Sequence, residues 1–251
     1  MIESISKSFN SYSKRPFLFV WGSLMYMALL FAVIFSGLAL LLCYFIALSV
    51  FNVAFDPQAL PSIAIFGAIG FVVLFFVGGL NAALARSYRS ALWKEKMSLT
   101  KFFAYALDKA PEMFGIMLLR DLLWLLLAGP GIAIYVLFLA GVDFMDVIVA
   151  MYVLSVTFVI HLAFTPALIS AGALGTPLFG SMRHAFEFMR RRHIFFIAIY
   201  SLFAVVWALN FIPFVQFITL FFAYPVMYTA LIIMFEDSIK GQKELEEDEE
   251  E

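Results

Sequence analysis

The chain has 251 residues, of which 64% are hydrophobic and 14% charged, with a net charge of -2 and a mean hydropathy of +0.99. Soluble domains are roughly 45–50% apolar, so a water-soluble globule is excluded and hydrocarbon must be the solvent for much of the surface. The lone Cys43 excludes an intrachain disulfide and reads as a small buried hydrophobe.

Residues Ile5, Phe9 and Tyr12 share one face at helical spacing, which predicts an amphipathic helix ahead of Lys14 and Arg15. The run from Phe17 to Phe51 carries no charge and is far longer than the apolar core of a signal peptide, so it is expected to remain in the mature protein. It predicts one long tilted span, TM1, with a pair of short spans meeting near Ser36-Gly37 as the alternative. A connector containing Pro57 and Pro61 leads to TM2, from Ile63 to about Ala85.

TM3 is expected from Glu112 to Ala128, where Gly129-Pro130-Gly131 breaks or kinks the helix before a second apolar piece. TM4 runs from Val147 to about Ala171 with Pro166 inside it. TM5 starts near Ile194 and ends around Asn210, and TM6 follows Pro213 and continues to about Phe235 with Pro225 inside it. Residues 241–251 form an acidic tail expected to be disordered, because like charges repel.

The bases Lys7, Lys14, Arg15, Arg86, Arg89, Lys94, Lys96, Lys101, Lys109, Arg183, Arg190, Arg191, Arg192, Lys240 and Lys243 all fall before odd-numbered spans or after even-numbered ones. The opposite connectors hold Asp56, Asp143 and Asp146 and no base. Positively charged loops stay on the cytoplasmic side, so a cell-membrane protein with both termini in the cytoplasm is expected.

Segments 8–16, 101–111 and 184–192 each place aromatics before a basic cluster that opens a span. Asn81-Ala82-Ala83-Leu84-Ala85, Pro166-Ala167-Leu168-Ile169-Ser170 and Pro225-Val226-Met227-Tyr228-Thr229 occupy matching places in the even-numbered spans. The predicted fold is thus an all-α integral membrane domain over residues 1–240. It has six transmembrane helices as three hairpins, in repeats of about 4–90, 98–175 and 180–238, each preceded by an interfacial amphipathic helix. This pattern resembles multi-pass membrane families related to the membrane domain attached to glycerophosphoryl diester phosphodiesterases. In those enzymes a separate soluble domain carries the catalytic metal ligands. The resemblance therefore implies a membrane module and assigns no catalytic residue.

Ionisable groups within spans are the first place to look for function, since burying charge in hydrocarbon costs about 3 kcal/mol on insertion scales. Three stand out: Arg120 and Asp121 in TM3 and His161 in TM4. At 1.5 Å per residue both sites lie roughly 12 Å from the cytoplasmic ends of their helices, so an Asp121–His161 contact is expected, as a polar site or as glue between helices. An Arg120–Asp121 pair is disfavoured, because neighbours on a helix point about 100° apart. Lys14, Arg15, Lys109, Arg190, Arg191 and Arg192 are expected to contact anionic lipid headgroups.

Neither a metal-ligand spacing, a phosphate loop nor a nucleophile elbow occurs, so no cofactor, metal or nucleic acid is expected. The leading expectation is a non-enzymatic scaffold, partner subunit or lipid-organising module. A transporter of small solutes or lipids using the TM3/TM4 polar site is the alternative, and a lipid-modifying enzyme comes third.

Overall fold

The computed structural model describes the backbone of every residue except 1, 52, 58, 140, 141, 210, 211, 213, 214 and 251. Of those residues it describes every side chain except 2, 191–193, 195, 199, 203, 206–209, 216, 217, 220 and 240–250. The described residues are almost wholly helical and contain no strand: α1 (Ile2–Lys14), α2 (Pro16–Val50), α3 (Leu60–Leu92), α4 (Leu99–Ile134), α5 (Met145–Ile169), α6 (Leu178–Leu209), α7 (Val215–Ile218) and α8 (Tyr224–Glu250). Wider π-helical turns extend α4 over Tyr135–Leu139 and α5 over Ser170–Leu174, and join α7 to α8 over Thr219–Ala223. Helical backbone therefore continues across residues 241–250, the stretch expected as a disordered tail.

Among the described residues, five helical runs are long and apolar enough to cross a membrane: Pro16–Val50, Leu60–Leu92, Leu99–Leu139, Met145–Leu174 and Phe221–Ile239. The expected TM5 falls in α6, where many side chains lie outside the described residues. Pro16 opens α2 at its first turn, where a missing N–H costs nothing, and the Ser98 hydroxyl caps α4 by accepting from the Lys101 amide at 3.3 Å.

Of three local expectations one holds and two change. First, α2 is the single long helix expected, 35 residues that pass through Ser36-Gly37 without a turn. The Ser36 hydroxyl donates to the Ala32 carbonyl at 2.7 Å, so no polar group there calls for a loop.

Second, α4 is not broken at Gly129-Pro130-Gly131 but runs on to Ile134. The neighbouring helix accommodates the proline: the Tyr152 hydroxyl donates to the Leu127 carbonyl in the turn ahead of Pro130, and Gly131 leaves room for the Tyr152 ring. Third, only the first amphipathic segment is a helix of its own, α1. The segments at 101–111 and 184–192 are the opening turns of α4 and α6, continuous with the apolar parts that follow.

Burial is lopsided along the helices. In α3 the buried residues other than Ser62 run from Gly78 to Ala91, and in α4 those other than Ala128 run from Phe102 to Met117. In α5 they start at Ile160, and in α8 they run from Pro225 to Ser238. The core therefore sits in the half that carries the basic connectors. In the other half Phe35, Leu42, Leu126, Phe138 and Leu154 face outward, as does Cys43, because the helices there have hydrocarbon rather than protein around them.

Small residues set the core spacing. A side chain at Gly79 would strike the Ala106 carbonyl of α4, and one at Gly172 would lie 3.1 Å from the Ala85 Cβ of α3. A side chain at Gly67 or Gly70, earlier on the same helix as Gly79, would meet nothing within 4 Å.

The first helix closes on the last. The Ser8 hydroxyl donates to the Val226 carbonyl at 2.6 Å and the Tyr12 hydroxyl to the Phe221 carbonyl at 2.7 Å, while Phe9 and Tyr12 meet Phe222 edge-on. Pro225 has no N–H to give, and the π turn before it and Tyr12 from α1 together accommodate that missing donor.

Candidate functional site

Five helices converge on one polar cavity of about 160 Å³. Asn81 and Leu84 enter from α3, Met113, Met117 and Arg120 from α4, and His161, Thr165 and Leu168 from α5, while Tyr200 of α6 and Tyr224 and Tyr228 of α8 complete the wall. The helix register explains the meeting. Trp124 Nε1 donates to the Thr157 hydroxyl at 2.8 Å and Tyr152 reaches Leu127, so α4 and α5 run antiparallel with Arg120 and His161 one turn further along.

Arg120 and Asp121 pair after all. Arg120 Nε and Nη2 both approach Asp121 Oδ1 at 2.7 Å, which the length and reach of the arginine side chain permit despite the angle between neighbours. The two carboxylate and guanidinium groups are not equivalent, however. Arg120 is 15% exposed and lines the cavity, whereas Asp121 is 46% exposed and does not. Asp121 makes no hydrogen bond to His161 among the described residues; its partner is Arg120.

Within the cavity, Thr165 hydrogen-bonds both the His161 carbonyl, at 2.7 Å, and the Tyr200 side chain. Tyr224 and Tyr228 stack at 5.6 Å, held one turn apart on α8. The Asn81 amide and the His161 ring have no hydrogen-bond partner among the described residues. Their polar atoms open onto the cavity, whereas the sealed side-chain atom left unpaired among the described residues is the Thr229 hydroxyl.

Arg86 and Arg89, read from the sequence only as determinants of orientation, belong to a second polar cluster at the end of α5. Both donate to the Ala173 carbonyl, at 3.1 and 3.4 Å, and Arg89 also pairs with Glu236 of α8. The Tyr105 hydroxyl donates to the Gly172 carbonyl at 2.8 Å, and the Arg86 guanidinium lies over the Tyr105 ring. Guanidinium groups at the carbonyl end of a helix complement its dipole, and the left-handed Gly175, at φ +76°, ends it. Beside this cluster Ser170 bonds Thr176 at 2.7 Å and the His184 ring at 3.1 Å. Ser170 is fully buried, so this serine–histidine contact is structural.

The expected headgroup contacts divide. Lys14 and Arg190 are exposed and Arg15 partly so. Lys109 is instead drawn to Asp108 at 3.3 Å and Glu112 at 3.6 Å, and the side chains of Arg191 and Arg192 lie outside the described residues. No cluster of three or more metal-ligating side chains occurs among the described residues.

An α-helical fold with five apolar runs of membrane-crossing length, enclosing a polar cavity within its packed half, defines a multi-pass membrane protein. Comparison with known protein families, curated proteins and solved structures finds no match.

Proposed function

We propose that this protein binds a small polar solute in the five-helix cavity, as a membrane carrier or sensor of that solute, and that α6 supplies a sixth span. The observation that carries this reading is that Asn81 and His161, without protein partners, join Arg120 around one space of about 160 Å³. A cavity of that size holds several waters or one small molecule. If the contact were only glue between helices, these groups would bond each other and leave no space.

An even number of spans keeps both termini and all base-bearing connectors on one side, which the positive-inside rule makes the cytoplasm. With Cys43 replaced by Ser and single cysteines introduced in intact cells, positions 56 and 143 are expected to react with an impermeant maleimide. Position 95 should react only after permeabilisation. Equal labelling at 95 and 143 would rule out this topology.

For the cavity itself, His161→Leu and Asn81→Leu fill the space without adding charge. Native mass spectrometry of gently purified protein is expected to show a bound small molecule that both substitutions remove. Identical spectra from all three proteins would discard the solute reading.

A second reading rests on a separate apolar groove of about 220 Å³ between α2 and α3, lined by Leu29, Val33, Gly37, Leu40, Val73 and Phe76 with Phe103 and Leu107 of α4. In a bilayer such a groove takes an acyl chain. With exposed Lys14 and Arg190 it would make the protein a lipid-organising module.

A further inference from the structure

We propose that the solute is a small oxyanion, a carboxylate or a phosphate ester, whose negative end is held by Arg120 together with Asn81 and His161. This rests on the reading of the cavity as a solute site. Of the residues that line the cavity Arg120 is the one with a fixed charge, and no carboxylate faces it there. Asp121 neutralises the pair as seen from outside, but it lies off the wall and engages only the Nε and Nη2 edge through a single oxygen. The Nη1 nitrogen makes no hydrogen bond among the described residues, on a side chain that lines the cavity.

An arginine so placed turns the positive end of the Arg120–Asp121 pair toward the cavity, and in surroundings of low dielectric that end favours an anion over a neutral molecule of the same shape. The donors fit that task. The guanidinium offers parallel N–H groups to paired oxygens, and Asn81 and His161 each add one from other helices. Leu84, Met113, Met117 and Leu168 give the wall its aliphatic part, beside Thr165 and the rings of Tyr200, Tyr224 and Tyr228, so the ligand has a short apolar body behind its acidic end.

The same chemistry can come from a free acid or from the headgroup of an anionic lipid. The test separates these sources. Full-length protein in lipid-depleted detergent would be titrated by calorimetry with butyrate, inorganic phosphate, phosphatidic acid in mixed micelles, and neutral butyramide as the control.

At least one of the anions is expected to bind at least tenfold more tightly than butyramide. Binding of butyrate or phosphate identifies a free solute; binding of phosphatidic acid alone identifies a lipid headgroup. Removing the charge should weaken anion binding about 10- to 100-fold, the scale of one charged hydrogen bond. The variant of choice is the double substitution Arg120→Gln with Asp121→Asn, which leaves no lone carboxylate to unfold the helix pair.

Butyramide binding as tightly as butyrate, or unchanged anion affinity in the double variant, overturns the anion assignment while leaving a solute site. If no probe binds the natural protein, and His161→Leu raises its melting temperature as a filled void would, both the assignment and the solute reading fall.

Discussion

Tyr12 donates its hydroxyl to the Phe221 carbonyl, within the turn from which Pro225 removes a helical donor. Replacing it by Phe keeps the edge-on contact with Phe222 but leaves that carbonyl short of a partner. Tyr12→Phe is therefore expected to cost about 1 kcal/mol and to loosen α1, read as faster proteolysis ahead of Lys14 in detergent. Tyr12→Phe protein as resistant as the natural one would show that α1 is held by its ring contacts alone.

Neither half of this pair was legible in the sequence. Pro225 could be read as a kink and Tyr12 as part of an apolar face, but their sequence separation hides the contact. Asn81 and the tyrosines of the cavity were hidden for the same reason, although Tyr224 and Tyr228, one helical turn apart, share a face and so carried a signal. Arg120, Asp121 and His161 were legible because charge in an apolar run is rare. Which partner Asp121 takes was not, because rotamers decide it.

Among the helices, α3 and α4 pack most extensively, and glycine decides how closely. At Gly79 any side chain meets the Ala106 backbone carbonyl, which cannot swing away as a side chain does. Gly79→Val is expected to force the two helices apart at a cost of roughly 3 kcal/mol, seen as loss of monodisperse protein in detergent. Gly67→Ala and Gly70→Ala on the same helix meet open space and are expected to be neutral or to stabilise by up to about 1 kcal/mol through helix propensity. If Gly79→Val and Gly67→Ala melted alike, close approach of α3 to α4 would not be what stabilises the bundle.

The apolar runs of α2 to α5 follow directly from length and hydropathy, which is why their positions were legible. The helical continuations at 101–111 and 184–192 were not, since an amphipathic stretch before a span reads alike whether it bends into the interface or runs straight on. The glycines of α3 look alike in sequence too, and only their neighbours separate Gly79 from Gly67.

For the molecule as a whole, the lopsided burial fixes where a bilayer fits. From Leu122 to Leu139 α4 carries no charge, and this stretch of about 18 residues rises roughly 27 Å, close to the thickness of a hydrocarbon core. The opposite, packed half of the bundle holds Lys109, Glu112, Arg86, Arg89 and Glu236, groups that a bilayer centre would expel. Trp21 agrees with this placement: its indole N–H donates to the Met97 carbonyl and the Lys96 ammonium lies 4.7 Å from its ring, a combination suited to the headgroup region.

Arg120 and the polar cavity then stand at the boundary of the hydrocarbon on the side of the basic connectors rather than at its middle, where the proposed ligand would reach them from that side. Trp124, one turn beyond Arg120 and bonded to Thr157, reports that depth. In liposomes, with the other tryptophans changed to Phe, its fluorescence is expected to be quenched more by lipids brominated near the headgroup end of the chain than by lipids brominated at the terminus. The reverse order would move Arg120 toward the midplane, and with it the cavity, making an approach from the side of the basic connectors untenable.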